Sequence, residues 1–132
     1  MSERLTEPRL EPEVVRQIRK GVAEFNAGKF FECHDTFEEV WQGIRGPARD
    51  FFQGLIQLAV GFYHLSNGNL IGAESQISKG LEKLENYGDS YAGMELNRLR
   101  GEAGSWLERI RAEDKLKGGV SDLPKFRFTP DQ

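Results

Sequence analysis

The chain has 132 residues, of which 38% are hydrophobic and 30% are charged, and this composition predicts one folded globular domain instead of a disordered or fibrous protein. The formal net charge of −3 favours neither nucleic acid nor an anionic membrane as a partner. Cys33 is the only cysteine, which excludes an internal disulfide and a cysteine-rich zinc site, so we expect a cytoplasmic protein.

The most apolar stretch of the sequence, residues 51–65, is too short to span a bilayer and contains Gln53, Gln57 and His64. Residues 1–12 are polar and charged, and they lack the apolar centre of a secretory signal. We therefore expect no membrane partner, and we interpret residues 51–65 as part of a buried helix.

The first two predicted helices form a pair joined by a glycine turn. Pro12 stands where a first helical residue tolerates proline, and apolar residues at helical spacing continue from there to Gly28. A second apolar stripe starts at Phe30 and should end between Gly43 and Gly46.

Three further helices and a tail follow. Helix three is predicted over residues 47–66 and is apolar nearly all round, as expected of a helix that is covered on several sides. Asn69 is a suitable N-cap for helix four. Helix five carries Trp106 on its apolar face and should stop at Gly118. The segment 120–132 contains prolines, which predicts an extended tail across the bundle.

An internal repeat with a period of 40 residues relates the first helix pair to the second. Equivalent positions are Gly28 with Gly68, Phe30 with Leu70, Cys33 with Ala73, and Phe37 with Ile77. The pattern resembles the tetratricopeptide helix-turn-helix. It predicts an all-α fold: a compact five-helix bundle of two tetratricopeptide-like repeats, a capping fifth helix and an extended C-terminal tail. We expect a single domain over residues 1–132, with a core at about 13–115 and flexible or extended ends at 1–11 and 118–132.

Polar and aromatic side chains flank the core stripes of helices two and three. They are His34, Glu38 and Trp41 on helix two, and Gln53, Gln57 and His64 on helix three. A short loop makes these helices antiparallel neighbours, so Glu38 should lie level with Gln53, and His34 level with Gln57. Because unpaired buried polar groups are costly, the four side chains either satisfy one another in a sealed structural network or line a ligand pocket.

A metal site is a weaker alternative for the same residues. His34 and Glu38 have the i,i+4 spacing of metal ligands, and His64 would supply a third ligand. The chain lacks a His-Glu-x-x-His pattern, a repeated Glu-x-x-His pattern, a phosphate loop and a nucleophile elbow, so we expect no cofactor and no catalytic residues. Cys33 lies on the apolar stripe of helix two and is interpreted as a packed small residue.

The run from Phe30 to Trp41, followed by residues 52–59 and by His64, resembles a small prokaryotic family catalogued as domain of unknown function 309. The resemblance spans roughly residues 15–86. It implies an all-helical fold related to tetratricopeptide bundles. The family's histidine, glutamate, tryptophan and glutamines correspond here to His34, Glu38, Trp41, Gln53 and Gln57. Because the family has no established activity, the resemblance implies a fold and a patch of residues only.

The leading hypothesis is a binding module whose polar pocket between helices two and three holds a peptide, a partner protein or a small ligand. One alternative is a metal-dependent enzyme with His34 and Glu38 as ligands. The other is a structural homodimer that associates through helix five or the tail.

Overall fold

The computed structural model describes residues 5–112 and 123–130, and most of these residues are helical. The helices are α1 (Pro12–Asn26), α2 (Phe30–Gln42), α3 (Pro47–Ser66), α4 (Leu70–Leu84) and α5 (Asn97–Arg111). A 3₁₀ turn (Glu85–Tyr87) follows α4, and three short strands, β1 (Ser90–Tyr91), β2 (Met94–Glu95) and β3 (Arg127–Phe128), form an antiparallel sheet in that order. The predicted all-α bundle of five helices is confirmed, and the sheet is an addition to it.

Local signals in the sequence explain where the helices begin and end. Pro12 and Pro47 each open a helix, where the missing backbone N–H would have no partner in any case. The Asn69 side chain accepts a hydrogen bond from Gly72 N at 2.9 Å, which confirms the predicted N-cap of α4. Gly28 and Gly68 turn the chain after α1 and α3 with φ of 79° and 77°, a conformation that favours glycine.

Each helix packs on the next one along the chain, from α1 to α5. The core between them is rich in aromatic rings and aliphatic side chains. The largest fully buried side chains are Phe25, Phe37, Phe51, Phe52, Phe62, Phe126, Leu55, Leu58, Ile77, Leu84, Met94 and Leu96. The predicted core residue Trp106 is 4% exposed, so α5 closes the bundle beside α4.

The internal repeat has a physical basis in two close helix contacts. A Cβ atom at Gly21 would lie 2.6 Å from Phe37 Cε1, and one at Gly61 would lie 2.5 Å from Ile77 Cγ1. These distances are too short for real Cβ contacts, so only glycine permits α1 to approach α2, and α3 to approach α4, this closely. The two helix pairs therefore use equivalent residues for the same packing contact.

A tight hairpin joins the 3₁₀ turn to α5. Its two loop residues, Ala92 and Gly93, have φ of 51° and 78°, as the type I′ turn requires. Upstream residues hold this hairpin, because Tyr91 Oη donates to Thr6 O at 2.6 Å and Ala92 N donates to Glu7 Oε1 at 2.7 Å. Residues 5–11, which belong to no helix or strand, therefore lie against the hairpin.

The described part of the C-terminal tail, residues 123–130, is extended and lies across the bundle, as predicted. Phe126 is buried and stacks on Phe25, with ring centroids 3.8 Å apart, while β3 pairs with β2. Phe128 is 42% exposed. The predicted stop of helix five at Gly118 lies outside the described residues.

No helix in the described ranges is long and apolar enough to cross a membrane.

Candidate functional site

The side chains of His34 and Glu38 contact each other on the solvent side of α2. His34 Nε2 lies 3.0 Å from Glu38 Oε2, and His34 Nδ1 lies 3.3 Å from Asp35 Oδ1. The side chains of His34 and Glu38 are 28% and 44% exposed. The i,i+4 spacing explains the pairing, since it places both side chains on one face of the helix. The sealed form of the polar network is therefore wrong, because the pair is open to solvent.

Trp41, one turn further along α2, packs against Arg49 of α3. The guanidinium carbon of Arg49 lies 3.9 Å from the centroid of the indole ring, a cation–π contact. Arg49 Nη1 also donates to Ile44 O at 3.2 Å and to Trp41 O at 3.4 Å, so Arg49 satisfies carbonyls at the C-terminal end of α2. Trp41 Nε1 is buried, and no atom of the described residues accepts its hydrogen bond.

Gln57 does not join the His34 pair. It follows Gly54 by three residues and precedes Gly61 by four, and both glycines lie against α4, so Gln57 lies at the α4 side of α3. Its Oε1 atom is buried without a hydrogen-bond donor in the described part of the chain. Neither Gln57 nor Gln53 bonds to His34 or Glu38. The expected convergence of these four side chains is therefore corrected.

His64 belongs to the turn between α3 and α4. Its Nδ1 atom lies 3.4 Å from Asn69 Nδ2, and a Cβ at Gly72 would lie 2.9 Å from its ring. The predicted metal-ligand set of His34, Glu38 and His64 is therefore not assembled. Among residues 5–112 and 123–130, no group of three or more His, Cys, Asp or Glu side chains is placed to hold a metal ion.

One face of α3 remains half-exposed between α2 and solvent. Arg49 marks one end of this face through its contact with Trp41, and Tyr63 marks the other through its contact with Phe31, whose ring centroid is 5.5 Å away. Residues at alternating spacings of four and three connect these two ends: Gln53, Ile56 and Val60, each partly exposed. Helix α3 is covered by α2 and α4, as expected, and this face is the part that neither of them covers.

We call the surface formed by this face and the adjacent side of α2 the α2–α3 groove. Its α2 members are Phe31, His34, Glu38 and Trp41, and its α3 members are Arg49, Gln53, Ile56, Val60 and Tyr63. Phe31 and Tyr63 are 51% and 37% exposed. Residues 51–66 contain no Asp, Glu, Lys or Arg, so the α3 wall lacks these charged side chains over most of its length. Phe31, Ile56, Val60 and Tyr63 were not among the predicted site residues, although the spacing from Arg49 onward places the last three on one face of α3.

Cys33 lies behind the groove and is fully buried. Burial raises the pKa of its thiol, and the nearby carboxylate of Glu24 raises the pKa further. The thiol therefore stays protonated and inaccessible, which confirms its interpretation as a packed small residue.

A separate surface cavity of about 890 Å³ lies where the start of α3 meets the end of α4. Charges of both signs line it, including Asp50, Lys79 and Glu82. None of the predicted site residues reaches this cavity, so it is distinct from the α2–α3 groove.

Comparison with known proteins confirms the predicted resemblance. Residues 18–76 match the model of a family described as a domain of unknown function, DUF309, and this range contains the whole α2–α3 groove. The chain is 26% identical over 87 residues to an uncharacterized protein of Aquifex aeolicus (strain VF5), covering 65% of this chain and 25% of the relative. It is 35% identical over 66 residues to the uncharacterized protein YpuF of Bacillus subtilis (strain 168), covering 48% of this chain and 38% of the relative. The match thus spans well under half the length of either relative.

Proposed function

Because residues 18–76 match the DUF309 family and contain the whole α2–α3 groove, we propose that the chain is a non-catalytic binding module that holds a peptide or helix of a partner protein in this groove. The observation that carries the proposal is the α3 face that is half-exposed but uncharged from residue 51 to residue 66.

A solvent-facing helix surface ordinarily carries charged side chains, because these keep the surface hydrated. The α3 face instead presents Ile56, Val60 and Tyr63, with Phe31 of α2 beside them. Contiguous apolar and aromatic surface rimmed by polar groups is typical of a protein–protein contact. The groove therefore has the composition of an interface that a partner covers.

An unpaired buried atom beside the groove also supports a bound partner. Burying a polar group without a hydrogen bond is unfavourable. Trp41 Nε1 is buried with no acceptor among the described residues, and the Trp41 ring packs on Arg49 at one end of the groove. A backbone carbonyl of a bound peptide would supply that acceptor.

The architecture agrees with this role. We interpret the two helix pairs as tetratricopeptide-like, because the glycine contacts at Gly21 and Gly61 recur with the same period as the turn glycines. Solenoid repeats of this kind present helix faces to partner segments. The reduced, buried Cys33 fits a cytoplasmic setting.

The test uses N-methylacetamide, a small mimic of one peptide bond, added to the ¹⁵N-labelled full chain. The chain has two tryptophans, and the indole N–H of Trp106 serves as the internal control for Trp41. We expect the Trp41 indole resonance and the amide resonances of Ile56 and Val60 to shift and saturate while Trp106 does not respond.

A Val60→Lys variant should abolish this response, whereas the matched Ile71→Lys variant, at an 87% exposed position on α4, should preserve it. Linear shifts of equal size at both indoles would mean that the probe acts only as a cosolvent. Either that result or the absence of any shift would contradict the proposed function.

A further inference from the structure

The turn between α3 and α4 contains the dipeptide Asn67–Gly68, the only Asn-Gly sequence in the chain. We propose that Asn67 is a site of spontaneous covalent modification, where the carboxamide is converted to aspartate and isoaspartate whenever the turn opens. The reaction needs water and no enzyme. It goes beyond the proposed function, because the turn lies outside the α2–α3 groove.

The reaction joins the side chain of Asn67 to the backbone of Gly68. The deprotonated Gly68 N attacks Asn67 Cγ, a new N–C bond closes a succinimide ring, and the Cγ–NH₂ bond breaks, so that ammonia leaves with the amide proton. Water then opens the ring at one of its two carbonyls. Opening at Cγ leaves aspartate in the ordinary backbone. Opening at the backbone carbonyl leaves isoaspartate, in which the chain runs through Cβ and Cγ and is one carbon longer.

The glycine after Asn67 makes this site reactive. A side chain on the following residue crowds the approach of its backbone nitrogen to Cγ, and Gly68 has no side chain. Asn67 and Gly68 are both exposed, and a Cβ added at Gly68 would meet no atom within 4 Å. The other asparagines precede alanine, leucine, tyrosine and arginine, and they are Asn26, Asn69, Asn86 and Asn97.

The carboxamide of Asn67 is also available. Within the described residues, no hydrogen bond holds it. In contrast, two bonds to Phe126 hold the carboxamide of Asn26, and Asn69 Oδ1 accepts from Gly72 N at 2.9 Å. Asn69 therefore provides an internal comparison in the same turn, with its side chain held and a larger residue after it.

The closed turn opposes the reaction. Ring closure requires a ψ of about −120° at Asn67, because Cβ is offset by about 120° from the backbone nitrogen around the Cα–C bond. The ψ of Asn67 is 6°. Gly68 N donates to Leu65 O at 3.0 Å and Asn69 N donates to His64 O at 2.9 Å, and so large a rotation breaks both bonds. Modification therefore takes place in the fraction of molecules whose turn is open.

The products disturb the second helix pair. Both add a negative charge at the C-terminal end of α3, where the helix dipole disfavours it. Isoaspartate also lengthens the connection next to Asn69, whose side chain caps α4. The close contact of Gly61 with Ile77 leaves α3 and α4 little room to adjust. The equivalent turn of the first pair has Ala27 before Gly28, so it lacks the reactive carboxamide.

The experiment follows all five asparagines of the full chain during incubation at neutral pH. Trypsin cuts after Lys and Arg, so residues 50–79 form one peptide that contains both Asn67 and Asn69. Mass spectrometry detects the replacement of –NH₂ by –OH, and electron-transfer fragmentation distinguishes isoaspartate from aspartate. We expect both products at Asn67 and no comparable conversion at Asn69. A synthetic peptide of residues 63–71, too short to hold the turn closed, should convert at least about tenfold faster than the folded chain.

Variants of the α4 cap test the dependence on turn opening. Asn69→Ala removes the bond to Gly72 N and should raise the rate at Asn67 several-fold toward that of the peptide. Asn69→Ser keeps an N-cap oxygen and should leave the rate close to wild type. Asn86→Ala, at an exposed position beyond the other end of α4, should not change it. Amide spectra check that each variant is folded. Urea below the unfolding transition of the wild type should raise the same rate without any substitution.

Four results would overturn the inference. Asn67 that stays intact while the peptide is fully converted would mean that the turn does not open. Aspartate without isoaspartate would exclude the succinimide. Equal conversion of Asn67 and Asn69 would show that the following glycine does not select the site. A rate at Asn67 that neither Asn69→Ala nor urea changes would show that turn opening does not control the reaction.

Discussion

Asn26 holds the backbone of Phe126 through both ends of its carboxamide. Asn26 Nδ2 donates to Phe126 O at 2.9 Å, and Phe126 N donates to Asn26 Oδ1 at 2.8 Å. Lys125 Nζ adds a bond of 2.8 Å to Asn26 O. The end of α1 thus binds the tail as a neighbouring strand would, although the two residues are 100 positions apart.

Substitution of Asn26 should therefore release the tail. Asn26→Ala removes both side-chain bonds and leaves two half-buried backbone groups unpaired, so we expect a loss of about 1–3 kcal/mol in the free energy of unfolding. Asn26→Asp keeps the side-chain oxygen that accepts from Phe126 N, so it should lower the free energy of unfolding by less. Urea unfolding and amide exchange at Phe126 measure the effect, and Asn86→Ala, at an exposed position, is the control. Unchanged exchange at Phe126 in Asn26→Ala would contradict this account.

The contact of Glu102 with Arg127 and Lys125 also holds the tail, and its strength depends on pH. Arg127 donates to both carboxylate oxygens of Glu102, at 2.9 and 3.1 Å, and Lys125 N donates to Glu102 Oε1 at 3.2 Å. Partial burial acts to raise the pKa of Glu102, but these hydrogen bonds outweigh it, and the pKa lies below the ordinary value of 4.5.

Because the folded-state pKa of Glu102 is lowered, the ionised carboxylate stabilises the fold above pH 4.5, and this contribution is lost as the pH falls below that value. Glu102→Gln should destabilise the protein by about 1 kcal/mol at pH 7. The difference from wild type should shrink in acid. Urea unfolding midpoints between pH 3 and pH 7 test this prediction, and Glu108→Gln at an exposed position is the control. If the stability difference between wild type and Glu102→Gln grew in acid, the prediction would be contradicted.

Two glycine-to-alanine substitutions should have opposite effects. At Gly61 the new Cβ would meet Ile77 Cγ1 at 2.5 Å and Ile77 N at 3.0 Å, so α3 and α4 must separate. We expect Gly61→Ala to lower the free energy of unfolding by about 1–3 kcal/mol. Gly101 lies at an exposed position of α5 with no atom within 4 Å of the added Cβ, so Gly101→Ala should raise the free energy of unfolding by up to about 1 kcal/mol through helix propensity. Thermal or urea unfolding measures both variants, and equal signs would refute the packing argument.

Removal of the unpaired carbonyl at Gln57 should stabilise the free protein. Gln57→Met keeps the shape and the helix propensity of the side chain but removes the buried polar atom without a partner. We expect a gain of about 1 kcal/mol in the free energy of unfolding. Gln53→Met, which removes no buried unpaired atom, should change stability by no more than about 0.5 kcal/mol. A destabilised Gln57→Met variant would show that the carbonyl has a structural role.

The helices were predictable because their signals are local. Pro12, Pro47 and Asn69 act within one helical turn of the boundaries that they set, and the apolar stripes repeat over every turn. The hairpin lacks such a signal, since its strands have two residues each and Ala92 occupies a left-handed position that favours glycine or asparagine. The partner of β2 on its other side, β3, lies more than 30 residues away along the chain.

The candidate site was only partly predictable. Helical periodicity gives the angle of Gln57 and His64 around helix three correctly, but it does not tell which neighbouring helix lies at that angle. Both residues were predicted on the side of helix two, whereas the structure places them beside α4. Arg49 escaped attention because its partners are backbone carbonyls and a ring face, which leave no motif.

The stacking of Phe126 on Phe25 has a consequence for the protein during its synthesis. The ribosome makes Phe25 about a hundred residues before the ring that covers it, and Phe126 also contacts Phe37 at 5.9 Å. A nascent or truncated chain that ends before Phe126 therefore leaves these two aromatic rings open to chaperones and proteases, which recognise exposed apolar surface. During synthesis, Phe126 therefore covers these two rings only after about a hundred further residues have been added.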